Sequence, residues 1–159
     1  MAKKVHFLGI AGSGASAAAA IAQAQGFEVT GCDLEPHNEF TNIFKSDQLS
    51  PGHASKHLEN VDLLAVTPAI FSLDPNNPEL LAAKEKNIPV LTWQQFLGEY
   101  LTQNKFVITV CGTHGKTTTT AMIAKILEEA NLDPTVELGA IIPGWKANYR
   151  IGSGKYFVI

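Results

Sequence analysis

The run Gly112-Thr113-His114-Gly115-Lys116-Thr117-Thr118 places two glycines, a lysine and hydroxyl side chains directly behind the apolar segment Phe106 to Cys111. These residue types suit the holding of a polyphosphate. Glycines let a backbone wrap an anion with successive N–H groups turned inward. A helix opening at Lys116 adds the partial positive charge of its N-terminus. Lys116 would reach the terminal phosphates of a nucleotide such as ATP, and the Thr117 hydroxyl would offer a ligand to Mg²⁺. The general form of such a loop has a glycine five residues before Gly115, where Val110 stands. The plainer reading is a tight strand-to-helix turn with a solvated lysine. Gly-Lys-Thr-Thr behind a strongly apolar strand favours the phosphate loop.

A second glycine loop, Gly9-x-Ala11-x-x-Gly14, comes close to a dinucleotide fingerprint, and Asp33 follows at about the 20-residue offset of the ribose-binding acid. Its middle position is Ala11, with Gly12 next. Spacing alone allows a diphosphate here, that of NAD included. Asp33 equally suits a capping or turn role, and His53, after Pro51-Gly52, a surface turn. His6 reads as a packed strand residue, and His114 as a loop-shaping residue rather than a base. No His/Cys cluster has the sequence spacing of a zinc site.

The elements needed to position these loops alternate along the chain. Val5 to Leu8 reads as a strand, and Ala15 to Gln25 as a helix stopped by Gly26. Phe27–Cys32 and Val61–Val66 read as further strands. Pro78 opens a helix running to Lys86, Pro89 to Leu91 is a strand, and Trp93 to Tyr100 is a helix. After Thr102-Gln103-Asn104 the pattern restarts with a buried strand Phe106–Cys111, a helix to about Ala130, and a short strand Thr135–Leu138. Residues 139–154, with four glycines and Pro143, read mostly as loop, and Tyr156–Ile159 as a last strand. Trp93 is assigned to the core and Trp145 to a loop. Apolar strands alternating with helices predict an α/β fold on a parallel sheet, with a division near residue 103.

Composition narrows the class. Of 159 residues, 45% are hydrophobic and 17% charged, which excludes a disordered chain. Twelve Lys plus Arg against fifteen Asp plus Glu give a net charge of −3, with Arg150 the only arginine, so a nucleic-acid partner is not expected. Ala15 to Ala24 is too short to span a membrane. Without a recognisable export signal, Cys32 and Cys111 are expected as free thiols in a reducing cytoplasm, small residues at strand ends.

The segment Val110–Thr120 resembles the ATP-binding loop of the Mur ligases, in which Gly-Thr-His-Gly-Lys-Thr recurs and a valine at the place of Val110 is usual. His6 to Ser16, Asn148 to Gly152 and Tyr156 to Ile159 also resemble, in order, parts of the family member that joins L-alanine to UDP-N-acetylmuramate. The likeness is collinear over nearly the whole chain. It implies a cytoplasmic, ATP- and Mg²⁺-dependent ligase of peptidoglycan precursor synthesis working through an acyl phosphate. It implies that Gly112, Thr113, His114, Gly115, Lys116, Thr117 and Thr118 bind ATP, with Lys116 and Thr117 catalytic and Thr117 on Mg²⁺. Gly9, Ala11, Gly12, Ser13, Gly14, Asp33, His53, Thr67, Ala69 and Ile70 would hold the UDP-sugar. The implied domains are a Rossmann-like one over 1–103 and the first part of a P-loop ATPase domain over 104–159. The family continues into an acidic metal-binding segment and a third domain, so these 159 residues are expected to bind the UDP-sugar without completing the reaction. Other readings are the related ligase that attaches a recycled tripeptide to the same UDP-sugar, and a non-catalytic nucleotide-binding module. An NAD-dependent oxidoreductase would leave the Gly112–Thr118 loop unexplained.

Overall fold

The computed structural model describes residues 3–159. Five strands, β1 (Lys4–Leu8), β2 (Glu28–Asp33), β3 (Leu49–Pro51), β4 (Leu63–Val66) and β5 (Val90–Thr92), form a sheet in the order β3-β2-β1-β4-β5. All its neighbours are parallel. Such strands are covered on both faces and read as continuous apolar runs, as in fully buried Leu63–Val66. The strand order reverses at β1 and β4, where open α/β sheets form their ligand crevice. The expected strands and helices of this half are present. Strand β3 was not expected: three residues ending in a proline leave no periodic pattern to read.

The connecting helices follow local rules. Helix α1 (Ser13–Ala24) starts after Gly12, and α2 (Ile70–Leu73) is a single turn. Helix α3 (Pro78–Glu85) has proline at its first position, and the Asn77 side chain accepts the Glu79 N–H as its cap. Helix α4 (Trp93–Phe96) continues as a wider π turn through Leu101.

A second sheet contains β6 (Phe106–Ile108), β7 (Thr135–Ile142), β8 (Ala147–Arg150) and β9 (Tyr156–Val158), with α5 (Lys116–Glu129) following β6. Its order is β6-β9-β7-β8, parallel except for the β7/β8 pair. Two expectations are corrected here. Residues 139–154 contain the end of β7 and all of β8, because an antiparallel ribbon tolerates glycines at its turn. Strand β6 is short and lies at the sheet edge, with Phe106 62% exposed, not buried.

The two sheets share their core. Helix α1 is buried without interruption from Ala15 to Ala22, and a helix apolar all round is one covered all round. It lies against β2 on one side and β7 and β8 on the other. Phe157 of β9 joins the cluster built by Val5, Phe7, Ile21 and Phe96. Asn148 Nδ2 on β8 donates to the Ser13 carbonyl at 2.6 Å. Among the described residues no helix is long and apolar enough to cross a membrane.

Candidate functional site

Leu8 is paired with Cys32 on one side and Val66 on the other. The next residues, Gly9, Asp33 and Thr67, therefore lie side by side at the carboxyl ends of the strands. Together with His53 and Ile70 they line a cavity of about 300 Å³, whose rim includes Leu34 and Leu73. Those two leucines are 74% and 81% exposed, apolar surface that a planar ring could cover. Asp33 is both cavity wall and turn residue. Its Oδ2 accepts the Ala11 N–H at 3.1 Å and its Oδ1 the Leu34 N–H at 2.8 Å. Asn38 Nδ2 holds the Ala11 carbonyl at 2.8 Å. No side chain caps α1 at Gly12, so the N–H groups of its first turn, from Ser13 on, are available to an anion.

Two predicted residues are placed differently. A Cβ on Gly14 would fall inside the Trp93 ring, so its smallness serves the close approach of α1 to the half-buried Trp93. Ala69 is exposed and does not line the cavity; its carbonyl accepts the Ser72 hydroxyl at 3.0 Å.

The second loop runs from the end of β6 to Gly115, which turns into α5 with φ +77°, a left-handed conformation suited to glycine. Lys116 Nζ donates to the Gly112 carbonyl at 2.8 Å and lies 3.5 Å from that of Thr113. The lysine thus curls back over its own loop. The N–H groups of Gly112 to Gly115 donate to no acceptor among the described residues and face solvent. His114 and Thr118 are exposed, and Thr117 is half-buried in the first turn of the fourteen-residue α5. Free amides, a helix N-terminus and an exposed ammonium fit a triphosphate, and the Thr117 hydroxyl fits a Mg²⁺ ligand beside it.

The structure also assembles a buried group that no sequence spacing linked. His6 from β1, Cys32 from β2, His57 from the turn Ser55–Leu58 and Glu79 from α3 converge behind the cavity. Glu79 Oε1 accepts the Cys32 thiol at 3.1 Å and the Ala54 N–H at 3.1 Å, with His57 Nδ1 at 2.9 Å. His53 Nδ1 lies 3.3 Å from Cys32 Sγ and so connects this group to the cavity wall. Burial, then the neighbouring Glu79, push the Cys32 thiol far above the usual range. Burial also opposes ionisation of Glu79, but His6, Cys32 and His57 around it more than offset that and hold it at about 2. The legible signal was a histidine inside an apolar strand, which requires a buried partner; Glu79, in the first turn of a helix behind Asn77-Pro78, reads as an ordinary exposed position. Cys32 is a free thiol buried near the end of β2 as expected, whereas Cys111 is exposed and lies beyond the end of β6.

Residues 4–105 match the model of the Mur ligase family, catalytic domain. A UDP-N-acetylmuramate–L-alanine ligase of Clostridium perfringens is 40% identical over 98% of the chain, and one of Dictyoglomus turgidum 41% over 99%. The chain spans only about a third of their length, 34% and 33%. Among solved structures, the UDP-N-acetylmuramate–alanine ligase of Thermotoga maritima superposes with TM-score 0.83 at 32% identity, over 98% of this chain and 36% of that one. The UDP-N-acetylmuramate:L-alanyl-gamma-D-glutamyl-meso-diaminopimelate ligase of Neisseria meningitides gives 0.87 at 27%, over 100% of this chain and 52% of that one. Five parallel strands with a glycine loop at their reversal point, matched over most of the chain by one family's model, establish the lineage: the chain belongs to the Mur ligase family.

Proposed function

We propose that this chain carries the UDP-sugar site and the ATP phosphate loop of a ligase that joins L-alanine to UDP-N-acetylmuramate. Residues 1–103 would form the UDP-sugar domain and 104–159 the first part of the ATP domain. The observation that carries the reading is the cavity at the strand reversal, where Gly9, Asp33, His53, Thr67 and Ile70 converge beside the uncapped start of α1. Backbone amides of the first turn of α1, from Ser13 on, would meet the diphosphate, and Leu34 and Leu73 would flank the uracil.

The reaction needs a leaving group on a carboxylate, because expelling oxide is prohibitive. The lactyl carboxylate attacks the γ-phosphorus of ATP and ADP leaves; the neutral alanine amine then attacks the acyl carbon, its C–N bond forming as the C–O bond to phosphate breaks and the nitrogen proton passes to solvent. Lys116 draws the two anions together, and the amides of Gly112 to Gly115 orient the phosphates. Mg²⁺, held by Thr117 Oγ, would supply further charge neutralisation when bound. The related reading, attachment of a recycled tripeptide, is supported by the TM-score of 0.87 to the Neisseria ligase; both enzymes' names contain the same UDP-sugar.

Calorimetric titration of the 159-residue chain tests the proposal. UDP-N-acetylmuramate and ATP are expected to bind independently and NADH not at all, with no ADP release when alanine is added. NADH competing with UDP-N-acetylmuramate would overturn the substrate assignment, and ADP release would overturn the view that catalysis needs more of the ligase than this third.

A further inference from the structure

We propose that His6, Cys32, His57 and Glu79 form a binding site for a divalent transition-metal ion, with Zn²⁺ the best match. Their ligand atoms, His6 Nε2, Cys32 Sγ, His57 Nδ1 and a Glu79 oxygen, all lie within 4.8 Å of one another. Zinc bonds of about 2.0–2.3 Å in a tetrahedron put donor atoms roughly 3.3–3.7 Å apart. Cys32 Sγ and His57 Nδ1 lie 3.1 and 2.9 Å from Glu79 Oε1, and His6 Nε2 lies 3.3 Å from Oε2, all at or inside that separation, so movements of about an ångström complete the shell.

Two buried atoms point to an absent partner. His6 Nε2 and Glu79 Oε2 face each other at 3.3 Å, neither with a hydrogen bond, on side chains 1% and 0% exposed. Each of these atoms has only the other, at ion-pair distance and without hydrogen-bond geometry, and a shared cation would satisfy both more fully. The surrounding groups suit that role. Thr30 Oγ1 lies 2.9 Å from His6 Nδ1 and fixes the ring with Nε2 inward, and the Ala54 N–H orients the carboxylate. A thiolate and a carboxylate cancel the charge of a divalent ion, so the loaded site is neutral. A sulfur, nitrogen and oxygen donor set excludes Mg²⁺ and Ca²⁺. His57 is 8% exposed beside a surface depression lined by Ser50, Ala54 and Lys56, which gives the ion a way in.

Binding is a ligand exchange without redox change. The sulfur–metal bond forms as the Cys32 S–H bond breaks and its proton leaves to solvent. The proton that His57 Nδ1 shares with Glu79 Oε1 is given up to solvent as the ion enters, and the ring stays protonated on Nε2, so the Nδ1 lone pair binds the metal. The site joins β1, β2, α3 and the turn Ser55–Leu58, and it does not depend on the substrate assignment above.

Co²⁺ added to the untagged full chain tests this, because a thiolate ligand gives a sulfur-to-cobalt charge-transfer band and a tetrahedral site gives intense visible bands. The chain has two cysteines, so in Cys111→Ser any such band must come from Cys32. One Co²⁺ per chain is expected, with the band retained in Cys111→Ser, lost in Cys32→Ser, and bleached by one equivalent of Zn²⁺. His57→Gln, checked for folding by circular dichroism, should bind Co²⁺ at least tenfold more weakly. No band in wild type or Cys111→Ser, or a folded His57→Gln with unchanged affinity, overturns the proposal and leaves the group a hydrogen-bonded core network.

Discussion

Lys116 holds its ammonium group against the Gly112 carbonyl, so the residue that would grip a phosphate also ties its own loop together. Lys116→Ala is expected to abolish ATP binding and leave UDP-N-acetylmuramate binding nearly unchanged; equal loss of both in calorimetry would merge the two sites into one. Glu137, on β7, shows the opposite situation, a carboxyl that burial alone raises from 4.5 to about 7. Between those values the folded chain holds a proton that the unfolded chain has lost. The contribution of this carboxyl to stability is therefore greatest below pH 4.5, falls as pH rises to about 7, and is level above. Glu137→Gln should flatten that slope, gaining at most about 3 kcal/mol at pH 8 and little near pH 4, as read by urea unfolding. An equal gain at both pH values would refute the cause given. At this scale the loop residues were legible because glycine, lysine and threonine advertise their chemistry locally. The convergence of His6, Cys32, His57 and Glu79 was not, because it depends on the order of strands across a sheet.

At the scale of elements, sequence pattern located most helices and strands because glycine and proline punctuate them. It failed where the surroundings decide the outcome. Phe106 and Val107 have the composition of an interior strand, but within these 159 residues, about a third of the relatives' length, β6 is paired on one side only and leaves them 62% and 39% exposed. Apolarity records what a strand requires, not which side its neighbours take. The short β3 and the β7/β8 ribbon were hidden for a related reason, since their pairing partners, not their own residues, make them strands. An open apolar edge is a template for another chain. Val107→Lys is expected to reduce concentration-dependent association in light scattering without lowering the melting temperature. Unchanged scattering would mean that another surface governs association.

For the whole molecule, the division near residue 103 marks where one sheet's strands give way to the other's, but side-chain contacts cross it freely. Phe157 lies in the cluster with Phe7 and Phe96, and Asn148 binds the Ser13 carbonyl. The chain is therefore expected to unfold in one cooperative transition. Trp93 and Trp145, one in each half, can report it separately: single-tryptophan variants should melt coincidentally, and two distinct midpoints would show independent units. Phe157→Ala should cost about 3–5 kcal/mol and shift both reporters together.

Helix α1 adds a constraint of another kind. With Ala15 to Ala22 enclosed from both sides, it is a party wall, and each of its residues must be acceptable to two neighbours at once. A substitution that one sheet could absorb by repacking is still vetoed by the other. The mutational tolerance of the two halves is thereby coupled through a helix of which only the first turn borders the candidate site. A library saturating Ala17 to Ala22 should yield few viable replacements larger than serine, and those few should be rescued by shrinking residues on β7 or β8 rather than within α1.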